Sequence, residues 1–454
     1  MKPNSRTQRL QHSDKRYLWH PFTQMKEWLE SEPLVIESAE GCRLLDSEGN
    51  SYLDGVSSLW CNVHGHRHPR LDAALLGQAN KVAHSTLLGL TNPPAIELAE
   101  RLVELAPEGL TRVFYSENGA SAVEVALKMA FQYWRNLGEK RRSRFVALEL
   151  AYHGDTLGAV SVGGIEEFHA IYKPMLFEVL RAPTPYVYRS TLGSGDPESC
   201  RDACLSRLEA TLEAHQEEVA AVIVEPLVQG AAGIVVHPDG FLAGVRDLCD
   251  RYGTLLICDE VATGFGKTAR MFACEHESVS PDLMVLGKGI TGGYLPLSAT
   301  MCTEAIFEAF LGPYEEMKTF FHGHTYSGNP LACAVAIASL DVFVEERVLQ
   351  SLPAKVTALA DKLARFDSHP NVGDVRQKGL MAGVELVRDK LTKDRFDISQ
   401  RVAWRISMAA RKRGVVVRPL GDVLVFMPPL CISEPEISEL VEAVYDSLEE
   451  VLPV

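Results

Sequence analysis

Lys288 is the only basic residue in "DLMVLGKGITGGYLPLSAT" (282–300). It follows the apolar run Leu283–Leu286 and lies between Gly287 and Gly289, so an amine is delivered to the end of a buried strand. Other strand ends carry chemistry too. Asp259 closes "TLLICDE", Glu225 closes "AAVIVEP", and "AYHGDT" offers Tyr152. "YSENGAS" sets Asn118, Gly119 and Ser121 at a strand-to-helix junction, where unpaired N–H groups and the helix dipole favour a phosphate. Each residue alone is commonplace, since a strand-terminal Asp caps helices, a lone Lys is usually solvated and a Tyr near a turn usually packs. The ordered combination fits pyridoxal phosphate. The lysine would form the Schiff base, Asp259 would keep the pyridine nitrogen protonated, and Tyr152 would cover the ring. Gly287 and Gly289 are expected to leave room for a lysine bond that swings during turnover.

Two other chemistries fit less well. "GFGKT" looks like part of a phosphate-binding P-loop, but Val261 stands where that motif needs a glycine. "NVHGHRHP" alternates His64, His66 and His68 as a metal strand would, yet it contains Gly65, ends at Pro69 and has no acidic partner at an obvious spacing.

The elements that must position these residues alternate between strand and helix. "NPPAIELAERLVELAP" predicts a helix with Ile96, Ala99, Leu102 and Val103 on its buried face. "RVFYSENGASAVEVALKMAFQYW" reads as strand, glycine turn, then helix. "AAVIVEP" and "TLLICDE" lack period-2 alternation, as strands buried on both faces of a parallel sheet do. "DLMVLGK" and "LSATMCT" continue the series. The expectation is an α/β large domain over residues 66–335 with a mainly parallel sheet. Residues 1–65 and 336–454 are expected to form one smaller α+β domain, with "VGDVRQKGLMAGVELV" and "VVVRPLGDVLVFMPPL" each read as an antiparallel strand pair.

The 454 residues are 46% hydrophobic and 23% charged, enough for a sizeable core. A formal net charge of −15 disfavours nucleic acid and anionic membranes as partners. The ten cysteines form no CxxC pair, and Cys258 and Cys333 lie in core-like runs, as thiols of a reducing compartment do. No apolar stretch is long enough to span a bilayer, and the expectation is a soluble, cytoplasmic protein acting on small molecules.

"TLLICDEVATGFGKTARMFACEHESVSPDLMVLGKGITGGYLPLSAT" resembles the signature of the class III, fold type I, pyridoxal-phosphate aminotransferases. That implies a seven-stranded, mainly parallel sheet and a homodimer with shared active sites. By the resemblance, Lys288 is the Schiff-base lysine, Asp259 the ring-nitrogen partner and Tyr152 the stacking residue. Asn118 and Gly119 match the phosphate pair, with His324 and Thr325 completing that site from a neighbouring subunit; Glu225 belongs with the cofactor residues. Phe22, Trp60, Gly323 and Arg418 match substrate positions, Arg418 having the fork for a carboxylate. "WHPFTQM", "AYHGDT", "CEH", "FFHGHTYSGNPLACA" and "VVVRPLGDVLVFMPP" are similar to the branch that aminates 8-amino-7-oxononanoate in biotin biosynthesis. Its usual donor is S-adenosylmethionine, and lysine in some relatives; a transaminase of ornithine or 4-aminobutyrate is the alternative. Asn118 replaces a usual serine, Phe22 a frequent tyrosine and Lys267 a usual arginine, the last two expected to touch substrate recognition.

Overall fold

The computed structural model describes residues 5–193 and 195–453. Three short strands, β1 (Ile36–Glu40), β2 (Arg43–Asp46) and β3 (Ser51–Asp54), form an antiparallel meander. The next are β4 (Leu110–Ser116), β5 (Arg144–Leu148), β6 (Leu180–Ala182) and β7 (Val219–Val224). The two-residue β8 (Val228–Gln229) and β9 (Val235–Val236) pair only with each other. After them run β10 (Leu255–Asp259), β11 (Leu283–Leu286) and β12 (Ser298–Thr303).

The large sheet has seven strands in the order β4-β12-β11-β10-β7-β5-β6. Only β12 runs against its neighbours; the other pairings are parallel. The apolar runs without alternation have a direct cause. Leu256 and Cys258 join the hydrophobic cluster on one face of the sheet, while Leu255 and Ile257 join that on the other. The Gly119–Asn136 helix covers the second face, burying Val123, Ala126, Leu127 and Ala130.

The Pro93–Leu105 helix starts at an Asn92 cap and buries the expected Leu102 with Ala95 and Leu98, while Ala99 and Val103 pack half-buried beside them. Ile96 stands 48% exposed. Its apolar residues cover more than one side, so periodicity alone left the face ambiguous by a residue.

Beyond the large sheet, β13 (Val372–Lys378) and β14 (Met381–Leu386) make the expected hairpin. The second expected pair does not form. β15 (Val415–Val416) runs parallel to β3, whereas β16 (Val423–Phe426) joins β14. The two apolar runs therefore enter different sheets, and one ties the C-terminal part of the chain to the N-terminal part. Nine of the ten free cysteines are at least partly buried, and Cys258 and Cys333 lie fully in the core. Among the described residues no helix is long and apolar enough to cross a membrane.

Candidate active site

Because β4, β5, β7, β10 and β11 are mutually parallel, their carboxyl ends emerge on one edge of the sheet, where open α/β sheets bind ligands. A cavity of about 710 Å³ opens there, and it brings together Asn118, Gly119, Tyr152, Glu225, Asp259, Lys288 and Trp60. The first six come from the ends of five strands, Asn118 and Gly119 both following β4.

Asp259 ends β10 and is buried. Its Oδ2 lies 2.7 Å from His153 Nδ1, and its Oδ1 accepts the Val261 N–H at 3.1 Å. His153 carried no role in the sequence reading, because a histidine after a tyrosine is no motif by itself. Here it orients the acid and leaves its own Nε2 buried without a partner. Lys288 opens a short 3-10 turn in a left-handed conformation (φ 41°), and its Nζ sits 4.9 Å from the centre of the Trp60 ring. Burial lowers the pKa of its amine, while the carboxylates of Asp259 and Glu225 pull it back up.

Glu225 accepts the Tyr152 N–H at 3.0 Å and the Gly230 N–H at 2.9 Å. Burial pushes its carboxyl up to about 7 against those donors and His153. The Tyr152 hydroxyl donates to Asp155 at 2.7 Å, and its ring stacks on His169 at 6.3 Å and 13°. At the helix start the Asn118 side chain caps the Ser121 N–H at 3.0 Å, so that N–H is spent. The first-turn N–H groups of Gly119 and Ala120 have no helical acceptor and line the cavity.

This donor set fits pyridoxal phosphate: an amine and a buried acid face one cavity, with a helix N-terminus beside them. The cradle is tight. A Cβ on Gly119 would come within 2.7 Å of Val261 Cγ1.

Other expected residues lie elsewhere. Phe22, Gly323, His324, Thr325 and Arg418 are exposed and do not line this cavity in the single chain. Phe22 packs edge-on against Phe168, and His324 Nδ1 meets Glu117 at 2.6 Å. Lys267, expected to touch substrate recognition, does not line the cavity: it is buried and bonded to three protein oxygens. The glycines beside Lys288 also serve packing. A Cβ on Gly289 would press on Phe265 at 2.9 Å, and one on Gly287 on Val261 at 3.2 Å. His64, His66 and His68 point to three different partners, Ser339, Asp54 and Glu346 respectively.

A lysine and an acid meeting at the carboxyl edge of a mainly parallel sheet suit an enzyme that works through a Schiff base. Residues 25–448 match the family "Aminotransferase class-III", and the chain belongs to it. It is 55% identical over 449 residues, 99% of each chain, to the adenosylmethionine-8-amino-7-oxononanoate aminotransferase of Geobacter sulfurreducens. The crystal structure of the same-named enzyme from Methanocaldococcus jannaschii is similar with a TM-score of 0.93 at 45% identity, covering 97% of this chain and 98% of that one. An (S)-enantioselective omega-transaminase from Thermomicrobium roseum matches with a TM-score of 0.93 at 38% identity, covering 98% of both chains.

Proposed function

We propose that this enzyme transfers an amino group to 8-amino-7-oxononanoate, giving 7,8-diaminononanoate in biotin biosynthesis, with pyridoxal 5'-phosphate as cofactor. The observation that carries the reading is the meeting of Lys288 and Asp259 in one cavity, in a chain 55% identical along its full length to an enzyme bearing that name. When bound, pyridoxal phosphate supplies an electron sink through which an amino group passes between carbon skeletons.

Lys288 would hold the cofactor through its amine and carry a proton at Nζ. Its lowered pKa makes the uncharged base more available than in a solvated lysine. Asp259, oriented by His153, would keep the ring nitrogen charged. The N–H groups at Gly119 and Ala120, with the Asn118 amide, would take the phosphate. Tyr152 would cover the ring, and Glu225 would hold the Tyr152 backbone in place.

For the substrate, Trp60 and Tyr152 wall the cavity, and Arg418 would take the distant carboxylate. The register Val416↔Asp54 supports this, because parallel β15 and β3 send Arg418 and the Trp60 segment off the same edge. We divide the chain into a cofactor domain (66–335) and a smaller domain formed by 1–65 and 336–454.

The active unit is a homodimer in this reading, with Gly323, His324, Thr325 and Phe22 facing the neighbouring subunit's site. The exposed Tyr314, Met317, Phe321 and Tyr326 around that loop support a covered surface. Sedimentation as a monomer at micromolar concentration with cofactor retained would remove this part.

S-adenosylmethionine is the donor in our reading, and lysine the second candidate because Phe22 lacks a hydroxyl. The test is a half-reaction: the pyridoxal form is mixed with each donor and its conversion to the pyridoxamine form is followed by absorbance. S-adenosylmethionine or lysine should convert it, and the product form should then aminate 8-amino-7-oxononanoate. Conversion by ornithine or 4-aminobutyrate alone would replace the reading with that of another ω-amino acid transaminase.

A further inference from the structure

Four successive residues, Ser57, Ser58, Leu59 and Trp60, stand at φ of 50°, 47°, 73° and 71°. None is glycine, and L-residues held in the left-handed region cost free energy at every position. A run of four persists only where surrounding groups over-determine it. Part of the hold is Asp54, which accepts the Ser58 N–H at 3.0 Å and the Ser58 hydroxyl at 2.8 Å. Asp54 is itself held by His66 at 3.1 Å.

The rest comes from Lys267. Its ammonium donates to Ser57 Oγ at 2.8 Å, to the Asn62 carbonyl at 3.2 Å and to the Pro428 carbonyl at 3.3 Å. The Ser57 hydroxyl, with its lone pair so occupied, donates its one proton to the Met427 carbonyl at 2.5 Å. Three donors meet three oxygens on two sides of the strained turn, and no carboxylate touches them. A solvated lysine has no use for such a setting; a clamp on a strained segment does.

What the turn delivers is Trp60. Its ring lies beside Lys288, and a Cβ at Gly230 would come within 3.1 Å of Trp60 Cζ3. The ring therefore has little freedom once the turn is fixed, and it forms the wall next to the reacting amine.

We propose that Lys267 is a positioning residue for the amino acceptor: through Ser57 it holds the left-handed 57–60 turn and so fixes where the Trp60 ring stands beside Lys288. This rests on the site reading given above. Lys267 takes no part in the chemistry itself; its length and the three donors of its ammonium hold the turn.

The test is a double-mutant cycle on the cofactor-loaded enzyme, combining Lys267→Met with Trp60→Phe and measured with whichever acceptor the wild type uses best. Lys267→Met alone should raise the acceptor KM about tenfold, with kcat changed less than threefold. In the Trp60→Phe background the same change should cost less than twofold in KM, since the indole that it positions is replaced by a smaller ring that no longer fills the wall. Equal effects in both backgrounds, or no change in KM with only a lower Tm, would overturn the proposal. Should Lys267→Met not fold, Ser57→Ala removes the relay atom and runs the same cycle. If the enzyme aminates no acceptor at all, the proposed function fails. The Trp60 emission, taken as wild type minus Trp60→Phe, then decides: a shift in Lys267→Met supports the clamp, and an unchanged spectrum refutes it.

Discussion

Glu225 makes a testable statement about pH. Burial raises its carboxyl from an ordinary 4.5 to about 7 in the native protein. Below pH 4.5 both the folded and the unfolded chain hold the proton. Between 4.5 and 7 the folded chain holds more, so this residue's contribution to stability is lost as pH rises through that window. The loss amounts to about 3 kcal/mol. Denaturant unfolding of the cofactor-free protein should show the wild type losing stability relative to Glu225→Gln between pH 4.5 and 7.5; parallel pH curves would contradict it. Residues at strand ends were legible because an amine, two acids and an aromatic in that order after buried apolar runs have few other uses together, though each alone is commonplace. Lys267 was not, because spacing cannot tell a side chain aimed at a cavity from one aimed at carbonyls behind it. Nor was His153, whose partner lies 106 residues away.

At the scale of elements, the start of the Gly119–Asn136 helix is where a single methyl group matters most. Gly119 meets Val261, in the loop after Asp259, so Gly119→Ala must push the helix start and that loop apart. Pyridoxal phosphate affinity should weaken by about 1–3 kcal/mol, the usual cost of overpacking, as read by equilibrium dialysis. Unchanged affinity would mean the cradle does not hold the phosphate. Buried parallel strands were readable because both faces meet a hydrophobic cluster and alternation vanishes. Strand partners were less readable: "VVV" and "VLVF" look like a hairpin across "RPLGD", yet β15 finds β3 from the other end of the chain. A local pattern fixes that a strand exists, not which edge it joins.

For the whole molecule, the fold alone does not choose a substrate. Omega-transaminases at 31–38% identity match this chain with TM-scores of 0.93–0.94, as closely as the Methanocaldococcus jannaschii enzyme does. What the architecture does establish is one edge of one sheet at which five parallel strands deliver their ends. The central claim is that Lys288 is the group through which this enzyme holds its cofactor. Borohydride reduction of the loaded enzyme, followed by peptide mass spectrometry, tests it directly. The account predicts a pyridoxyl adduct on the peptide containing Lys288 and on no other; an adduct on Lys267 or another lysine, with Lys288 unmodified, would contradict it.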